Sequence, residues 1–381
     1  MKAPLNDYFH LRDAMRLSGP LSIGLMIKPA GASCPLACKY CYYGGGTKGM
    51  MTPALLERTI AQAADANDGP ELLFNWHGGE PLLAGIDFYR QAVRLQKKYA
   101  GGRTVTNTIQ TSGLPLNPRW AEFLRQENFL VGLSIDGPEE IHDAFRKDKR
   151  GAGTFEGAMR GLELLRRSGV EFNTLTTVNK ASKGRGAEIY GFLKSAGSTY
   201  MQFLPVADGR PEDIDAEGFG QFMCEVYSQW VRKDVGSVFV SLFESTLASW
   251  CGLPRGLCTA CETCGGSITV DWNGDAYACD HFTGSGYLLG NVGATSLREL
   301  ATSPGYLQFC LRKRNALPRR CLECKYLFAC GGECPGHRSA SNGDAPLNAL
   351  CEGYRMFFRE SEASMLSLRD RIASGKDSGQ G

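Results

Sequence analysis

Between about residues 21 and 235 the chain alternates short apolar runs with stretches whose apolar positions recur at helical spacing. The run Leu21-Ser-Ile-Gly-Leu-Met-Ile-Lys28 stops at Pro29, as a buried strand does. Thr52-Pro53 then offers an N-cap with proline at the first helical position, and helical periodicity follows to Asn67. The same rhythm predicts strands over 71–76, 104–110, 130–135, 171–178 and 200–205. Helices are expected near 86–99, 117–127, 153–168, 186–195 and 215–233. Six strands alternating with helices call for parallel pairing through right-handed crossovers. That makes an α/β fold equal to three-quarters of a (β/α)8 barrel, in which function gathers on the loops after the strand C-terminal ends.

From Cys251 the texture changes. Residues 267–271 and 276–279 flank Asn273-Gly274 and read as a hairpin, and cysteines crowd the segment. Of the 15 cysteines, three precede residue 45, Cys224 stands alone, and the rest run from Cys251 onward. With no apolar signal core in Met1–Pro20, this clustering points to metal or redox chemistry rather than disulfides, in a cytoplasmic protein. A net charge of +2 gives no whole-chain argument for nucleic acid or membrane as a partner. The 381 residues therefore divide into an extension (1–20), a barrel (21–235), a cysteine-rich module (236–365) and a tail expected to be flexible (366–381).

The chemistry begins in the loop after the first strand, Cys34-Pro-Leu-Ala-Cys38-Lys-Tyr-Cys41. Three thiolates on one tight loop can hold three corners of a cubic iron–sulfur cluster and leave the fourth iron open for a small molecule. A zinc site is the alternative, but the next cysteine is as distant as Cys224. Other marked segments fall after later strands: His77-Gly78-Gly79-Glu80-Pro81, Gln110-Thr111-Ser112-Gly113 and Ser134-Ile-Asp136-Gly137-Pro138. The glycines permit close backbone approach and Glu80 can receive an ammonium group. Arg146 is either a carboxylate partner or a solvated charge in the run to Arg150. In the tail, eight cysteines can form two sets of four, and spacing alone leaves iron and zinc both open.

The cysteine loop, with Tyr40 before its third cysteine, resembles the radical S-adenosylmethionine (SAM) superfamily. The tail resembles the SPASM domain found behind some of those partial (β/α)6 TIM-like barrels. These resemblances imply three [4Fe–4S] clusters. One, with SAM, would sit on Cys34, Cys38 and Cys41; Tyr40, Gly78, Gly79, Glu80, Gln110, Thr111, Ser134 and Arg146 would surround that cofactor. A first auxiliary cluster would take Cys258, Cys264, Cys279 and Cys334, and a second Cys321, Cys324, Cys330 and Cys351. Cys224, Cys251, Cys261 and Cys310 are left without roles, and Cys261 competes with Cys258 and Cys264 as a ligand.

Within that group the chain resembles the anaerobic sulfatase-maturating enzymes over about residues 21–358. The resemblance is carried by Ile27-Lys28-Pro29-Ala30, the segment 130–138, the segment 274–282 and Leu289-Gly290-Asn291. It implies oxidation of a Cys or Ser of an unfolded sulfatase to Cα-formylglycine by a 5′-deoxyadenosyl radical. Asp280 would be the catalytic base, Tyr43 and His77 substrate contacts, and a flavodoxin or ferredoxin the electron donor. His77 departs from the glutamine of some members. The alternative within the same architecture is a maturase that cross-links a ribosomally made precursor peptide.

Overall fold

The computed structural model describes residues 21–341 and 344–375, so the extension at 1–20 lies outside the described residues. Strands β1 (Gly24–Lys28), β2 (Glu71–Trp76), β3 (Thr104–Thr111), β4 (Leu130–Ser134), β5 (Phe172–Val178) and β6 (Tyr200–Pro205) pair in parallel in chain order. Between them run helices α1 (Pro53–Ala66), α2 (Ile86–Tyr99), α3 (Pro118–Gln126), α4 (Glu139–Phe145), α5 (Phe155–Arg167) and α6 (Gly186–Ser195); α7 (Ala216–Lys233) follows β6. All but α4 match the periodicity. Their starts are chemically marked: the Thr52 hydroxyl accepts from the Leu55 N–H at 3.2 Å, and Asp215 accepts from the Gly218 N–H at 2.6 Å.

The sheet does not stop at six strands. A two-residue strand, β7 (Phe239–Val240), adds in parallel beside β6 and leads into α8 (Ser241–Trp250). The hairpin expected within the cysteine module instead extends the barrel sheet. Its first strand, β8 (Ser267–Asp271), lies parallel to β1 with Gly24 opposite Ser267 and Lys28 opposite Asp271. Strands β9 (Asp275–Tyr277) and β10 (Leu288–Asn291) continue outward in antiparallel sense, giving one open ten-stranded sheet. The reason is physical. β1 is almost wholly buried, and leaving its outer edge unpaired would strand backbone donors and acceptors in an apolar setting.

Beyond the sheet come α9 (Leu297–Ala301), α10 (Pro304–Asn315), α11 (Arg319–Leu322), α12 (Leu327–Cys330), a small hairpin of β11 (Arg338–Ser341) and β12 (Asp344–Asn348), and the long α13 (Cys351–Ala373). Helix α13 runs past residue 365 and buries Met365 and Leu368, so the tail expected to be flexible from 366 begins inside a packed helix. α13 returns to the barrel along α7. At their crossing Gly220 faces Gly353, and a Cβ on Gly353 would stand 2.2 Å from the Ala216 carbonyl oxygen. Tyr354 and Phe357 then stack against Phe219 and Phe243, with ring centres 4.9 and 5.3 Å apart. Among the described residues no helix is long and apolar enough to cross a membrane.

Candidate active site

The cysteine loop leaves β1 and is held from two sides. On one side the loop after β2 packs directly on its backbone. The Gly79 N–H donates to the Gly31 carbonyl and the Glu80 N–H to the Ser33 carbonyl, both at 2.8 Å. A Cβ on Gly79 would come within 2.3 Å of the Ser33 oxygen, and Gly78 has a φ of +114°. Both glycines are thus required by loop-on-loop packing. On the other side Ala37 and Lys39 N–H groups donate to the carbonyls of Lys147 (2.8 Å) and Phe145 (3.0 Å).

Tyr40 fastens the third cysteine's turn. Its hydroxyl donates to Asp136 Oδ2 at the β4 rim, and Asp136 Oδ1 accepts from the Thr177 N–H at 3.0 Å. Arg146 is buried, places its Nε 3.4 Å from Asp136 and lies 5.6 Å from the centre of the Tyr40 ring. It is therefore a carboxylate partner, and the solvated-charge alternative falls away. Burial pushes the Cys34 thiol up to about 12 and also raises Cys38, where the Arg146 charge works in the opposite direction. Cys41 is the exposed member of the three.

Glu80 sits fully buried behind the loop. Its carboxylate accepts from the Thr111 hydroxyl (2.8 Å), the Ser112 N–H (3.0 Å), the Ser112 hydroxyl (2.6 Å) and the Leu82 N–H (3.3 Å). Burial nonetheless leaves its carboxyl above the usual range. Ser134 closes β4 beside this rim and is buried. His77 accepts from the Gly78 N–H through Nδ1 at 2.7 Å and bonds the Gln110 side chain, and burial holds its ring below the ordinary histidine value.

Asp280 meets these residues from the turn after β9. Its Oδ1 lies 2.5 Å from Lys28 Nζ, and its Oδ2 accepts from the Tyr42 hydroxyl. Lys28 is fully buried at the end of β1 and stands 3.5 Å over the Tyr43 ring. Burial alone would raise the Asp280 carboxyl, but the charges of Lys28, His77 and His281 outweigh it and hold the group at about 2. The ion pair has contact distance but poor hydrogen-bond angles, so the carboxylate oxygen keeps acceptor capacity. Tyr43 is committed inward, donating to Asp271 Oδ2 at 2.7 Å. Its neighbour Tyr42 is 37% exposed and stacks on His281 at 5.0 Å, so Tyr42 rather than Tyr43 presents a face to solvent beside Asp280. Sequence reading missed both Lys28 and Tyr42. A lysine closing an otherwise apolar strand was the available signal, because lysine is almost never fully buried without a partner.

In the tail the eight cysteines separate into two neighbourhoods. The thiol of Cys279 is influenced electrostatically by Cys258 and Cys264, and that of Cys334 by Cys279 and Cys258. Cys330 is influenced by Cys351 and Cys321, and Cys351 by Cys321 and Cys324. Cys261 lies close enough to influence Cys258 and Cys264 electrostatically, and its thiol donates to the Leu257 carbonyl at 3.3 Å. Cys310 stands beside the first group, influenced electrostatically by Cys264 and Cys279. Two all-cysteine sets are the donor chemistry that iron–sulfur clusters use.

A cysteine loop at the rim of a mostly parallel α/β sheet, backed by a cysteine-rich module, defines a radical SAM protein. The Radical SAM superfamily matches residues 29–185, and the SPASM iron–sulfur cluster-binding domain matches 258–325. A serine-type anaerobic sulfatase-maturating enzyme of Bacteroides thetaiotaomicron is 41% identical over 88% of this chain and 88% of its own. A cysteine-type enzyme of Clostridium novyi is 30% identical over 92% of this chain and 98% of its own. The structure of native anSMEcpe with bound AdoMet and Cp18Cys peptide superposes with a TM-score of 0.86 at 28% identity, covering 92% of this chain and 99% of that one. The chain belongs to the anaerobic sulfatase-maturating enzymes. It is a radical SAM enzyme that uses [4Fe–4S] clusters and SAM.

Proposed function

We propose that this enzyme oxidises a serine of a sulfatase, and a cysteine less readily, to Cα-formylglycine. The observation that carries the reading is the Asp280 carboxylate, held ionised by Lys28 next to the cysteine loop. The serine preference rests on relatives: serine-type enzymes match at 41% and 36% identity, cysteine-type at 30%. Cys34, Cys38 and Cys41 hold the SAM cluster, with Tyr40, Gly78, Gly79, Glu80, Gln110, Thr111, Ser134 and Arg146 shaping its surroundings. Cys258, Cys264, Cys279 and Cys334 hold one auxiliary cluster; Cys321, Cys324, Cys330 and Cys351 hold the other.

When bound, SAM and the clusters supply a 5′-deoxyadenosyl radical that removes one hydrogen atom from the target Cβ, and an acceptor for the electron left behind. The protein's part is to take the remaining proton. A hydroxyl on a carbon radical is far more acidic than an alcohol, so a carboxylate as weakly basic as Asp280 can receive it within hydrogen-bond reach. Tyr42 donates to Asp280 Oδ2 and so marks where the substrate hydroxyl or thiol would bind. His77, half-buried and with its ring held below the ordinary histidine value, offers a hydrogen bond to the peptide. A cytoplasmic setting with a flavodoxin or ferredoxin as electron donor completes the reading.

The test is turnover with reduced enzyme, SAM and matched sulfatase-motif peptides carrying Ser or Cys. Formation of a peptide aldehyde from the serine peptide, at a higher kcat/KM than from the cysteine peptide, is expected. Deoxyadenosine released with neither peptide changed would reject the reading and favour the cross-linking maturase.

A further inference from the structure

Two cations point into the cysteine module, Lys313 fully buried and Arg338 half-buried, and neither is used by the chemistry above. Lys313 on α10 is 0% exposed, and its Nζ donates to the carbonyls of Cys258 (2.7 Å) and Thr259 (2.8 Å). Arg338 at the start of β11 donates to the Lys313 carbonyl (2.9 Å) and to the Gly332 carbonyl (3.1 and 3.3 Å). The hydrogen-bond partners of both are carbonyl oxygens, which satisfy donors without pairing the charge directly. The buried carboxylate nearby, Glu333, is bonded to His337 at 2.9 Å and to Asn348; its charge is felt by both Lys313 and Arg338, but it makes no hydrogen bond or ion pair with either. Burying an uncancelled charge is costly unless an anion is close.

The two charges reach different thiols. Lys313 acts on Cys258 and Cys264, both of the first auxiliary set. Arg338 acts on Cys264 of the first set and on Cys321 of the second. Thiolate-ligated clusters are anionic, and their potentials depend on net charge, hydrogen bonding and solvent exposure. A fixed cation in a low-dielectric interior favours the reduced, more negative cluster.

We propose that Lys313 and Arg338 are positioning charges that set the auxiliary clusters' reduction potentials, Lys313 acting on the first cluster alone and Arg338 on both, so that the first cluster can accept the substrate's electron. The proposal rests on the ligand sets given above, and iron content separates its failure from theirs.

The experiment is EPR-monitored redox titration of the reconstituted full-length enzyme, with iron and sulfide counted for every variant. Lys313→Met is expected to keep full iron and to shift the first auxiliary midpoint to more negative potential, leaving the second in place. Arg338→Met is expected to shift both midpoints the same way. Lys313→Arg and Arg338→Lys, which keep the charge, are expected to restore wild-type midpoints. Full iron with unmoved midpoints in Lys313→Met or Arg338→Met would overturn the proposal. So would midpoints that stay shifted in the charge-keeping variants. Loss of iron from a methionine variant also counts against it, because the residue would then be a strut for the loop. Loss of iron from an otherwise wild-type variant whose proposed ligand cysteines of one set are replaced by alanine is the separate check on those sets.

Discussion

The two cysteine regions handle charge in opposite ways. Around the loop Cys34–Cys41 every buried cation meets a carboxylate: Arg146 with Asp136, Lys28 with Asp280. In the tail Lys313 and Arg338 bond to carbonyls, with no carboxylate in direct contact. Exposure does not separate them: each region has one exposed cysteine, Cys41 in the loop and Cys258 in the tail, and the others are half-buried. The contrast teaches how one chain builds two kinds of iron–sulfur site. A site that must exchange a charged cofactor neutralises its own fixed charges beforehand, so the cofactor enters a balanced setting. A site that is permanently filled leaves its cations for the cluster itself to balance.

The sharpest way to break this contrast is to empty one region at a time. Replacing Cys34, Cys38 and Cys41 together by alanine is expected to abolish deoxyadenosine formation while auxiliary-cluster iron remains, measured by product chromatography and iron counting. Replacing Cys321 and Cys324 by alanine is expected to do the reverse, leaving SAM cleavage but stopping peptide oxidation. If the loop variant also lost the tail's iron, the two regions would be one folding unit and the comparison would fail.

Asp280→Asn tests the seam between the regions, since Asp280 follows a tail cysteine yet serves the barrel rim. The amide keeps the shape but cannot take the proton. Peptide oxidation is expected to fall by about 10²–10⁴-fold, the usual worth of a general base. Deoxyadenosine formation without peptide should be close to wild type. A parallel loss of both would make Asp280 a structural partner of Lys28 rather than a base.

How much of this was readable in the chain follows from how local the signals are. Thr52-Pro53 starts α1 and the periodicities over 86–99 and 186–195 match α2 and α6, because caps and amphipathic faces lie within one element. The pairing of β8 with β1 was hidden, since it joins residues far apart in sequence and depends on β1 needing a cover on its outer edge. At the site, Cys34–Cys41 and Asp280 could be singled out by motif. Lys28 and Tyr42 could not, because their importance arises only when the hairpin turn is brought against the end of β1. Gly79 was read as able to approach backbone, but only the fold shows that it approaches Ser33 rather than a ligand.

The docking of α13 is what holds the tail against the barrel, and Phe357 is its innermost ring, 0% exposed between Tyr227 and Phe243. Phe357→Ala is expected to cost about 3–5 kcal/mol by lost burial and the cavity left behind. Chemical denaturation should then show the cysteine module loosening at lower denaturant than the barrel. A single unshifted transition would mean that the β8–β1 pairing, not α13, couples the regions.

The smallest expected effect comes from a control that belongs to neither cysteine region. Asp234 caps the end of α7, where it accepts from the Tyr190 hydroxyl at 2.7 Å and pairs with Lys194. Burial works to raise its carboxyl, but Lys194 and Tyr190 prevail and hold it below the usual aspartate value. A carboxyl depressed in the folded state stabilises above its unfolded pKa, and that contribution disappears as pH falls through the folded value. Asp234→Asn is therefore expected to lose about 1–3 kcal/mol near neutrality, the range for hydrogen bonds to a charged group. The gap from wild type should narrow once the pH drops below about 4, where the unfolded carboxyl takes up its proton. Because α7 packs on both the barrel and α13, this loss should appear equally in both transitions, with iron content and cluster potentials unchanged. A gap that persisted unchanged into acid would show that the amide perturbs packing rather than removing a charge.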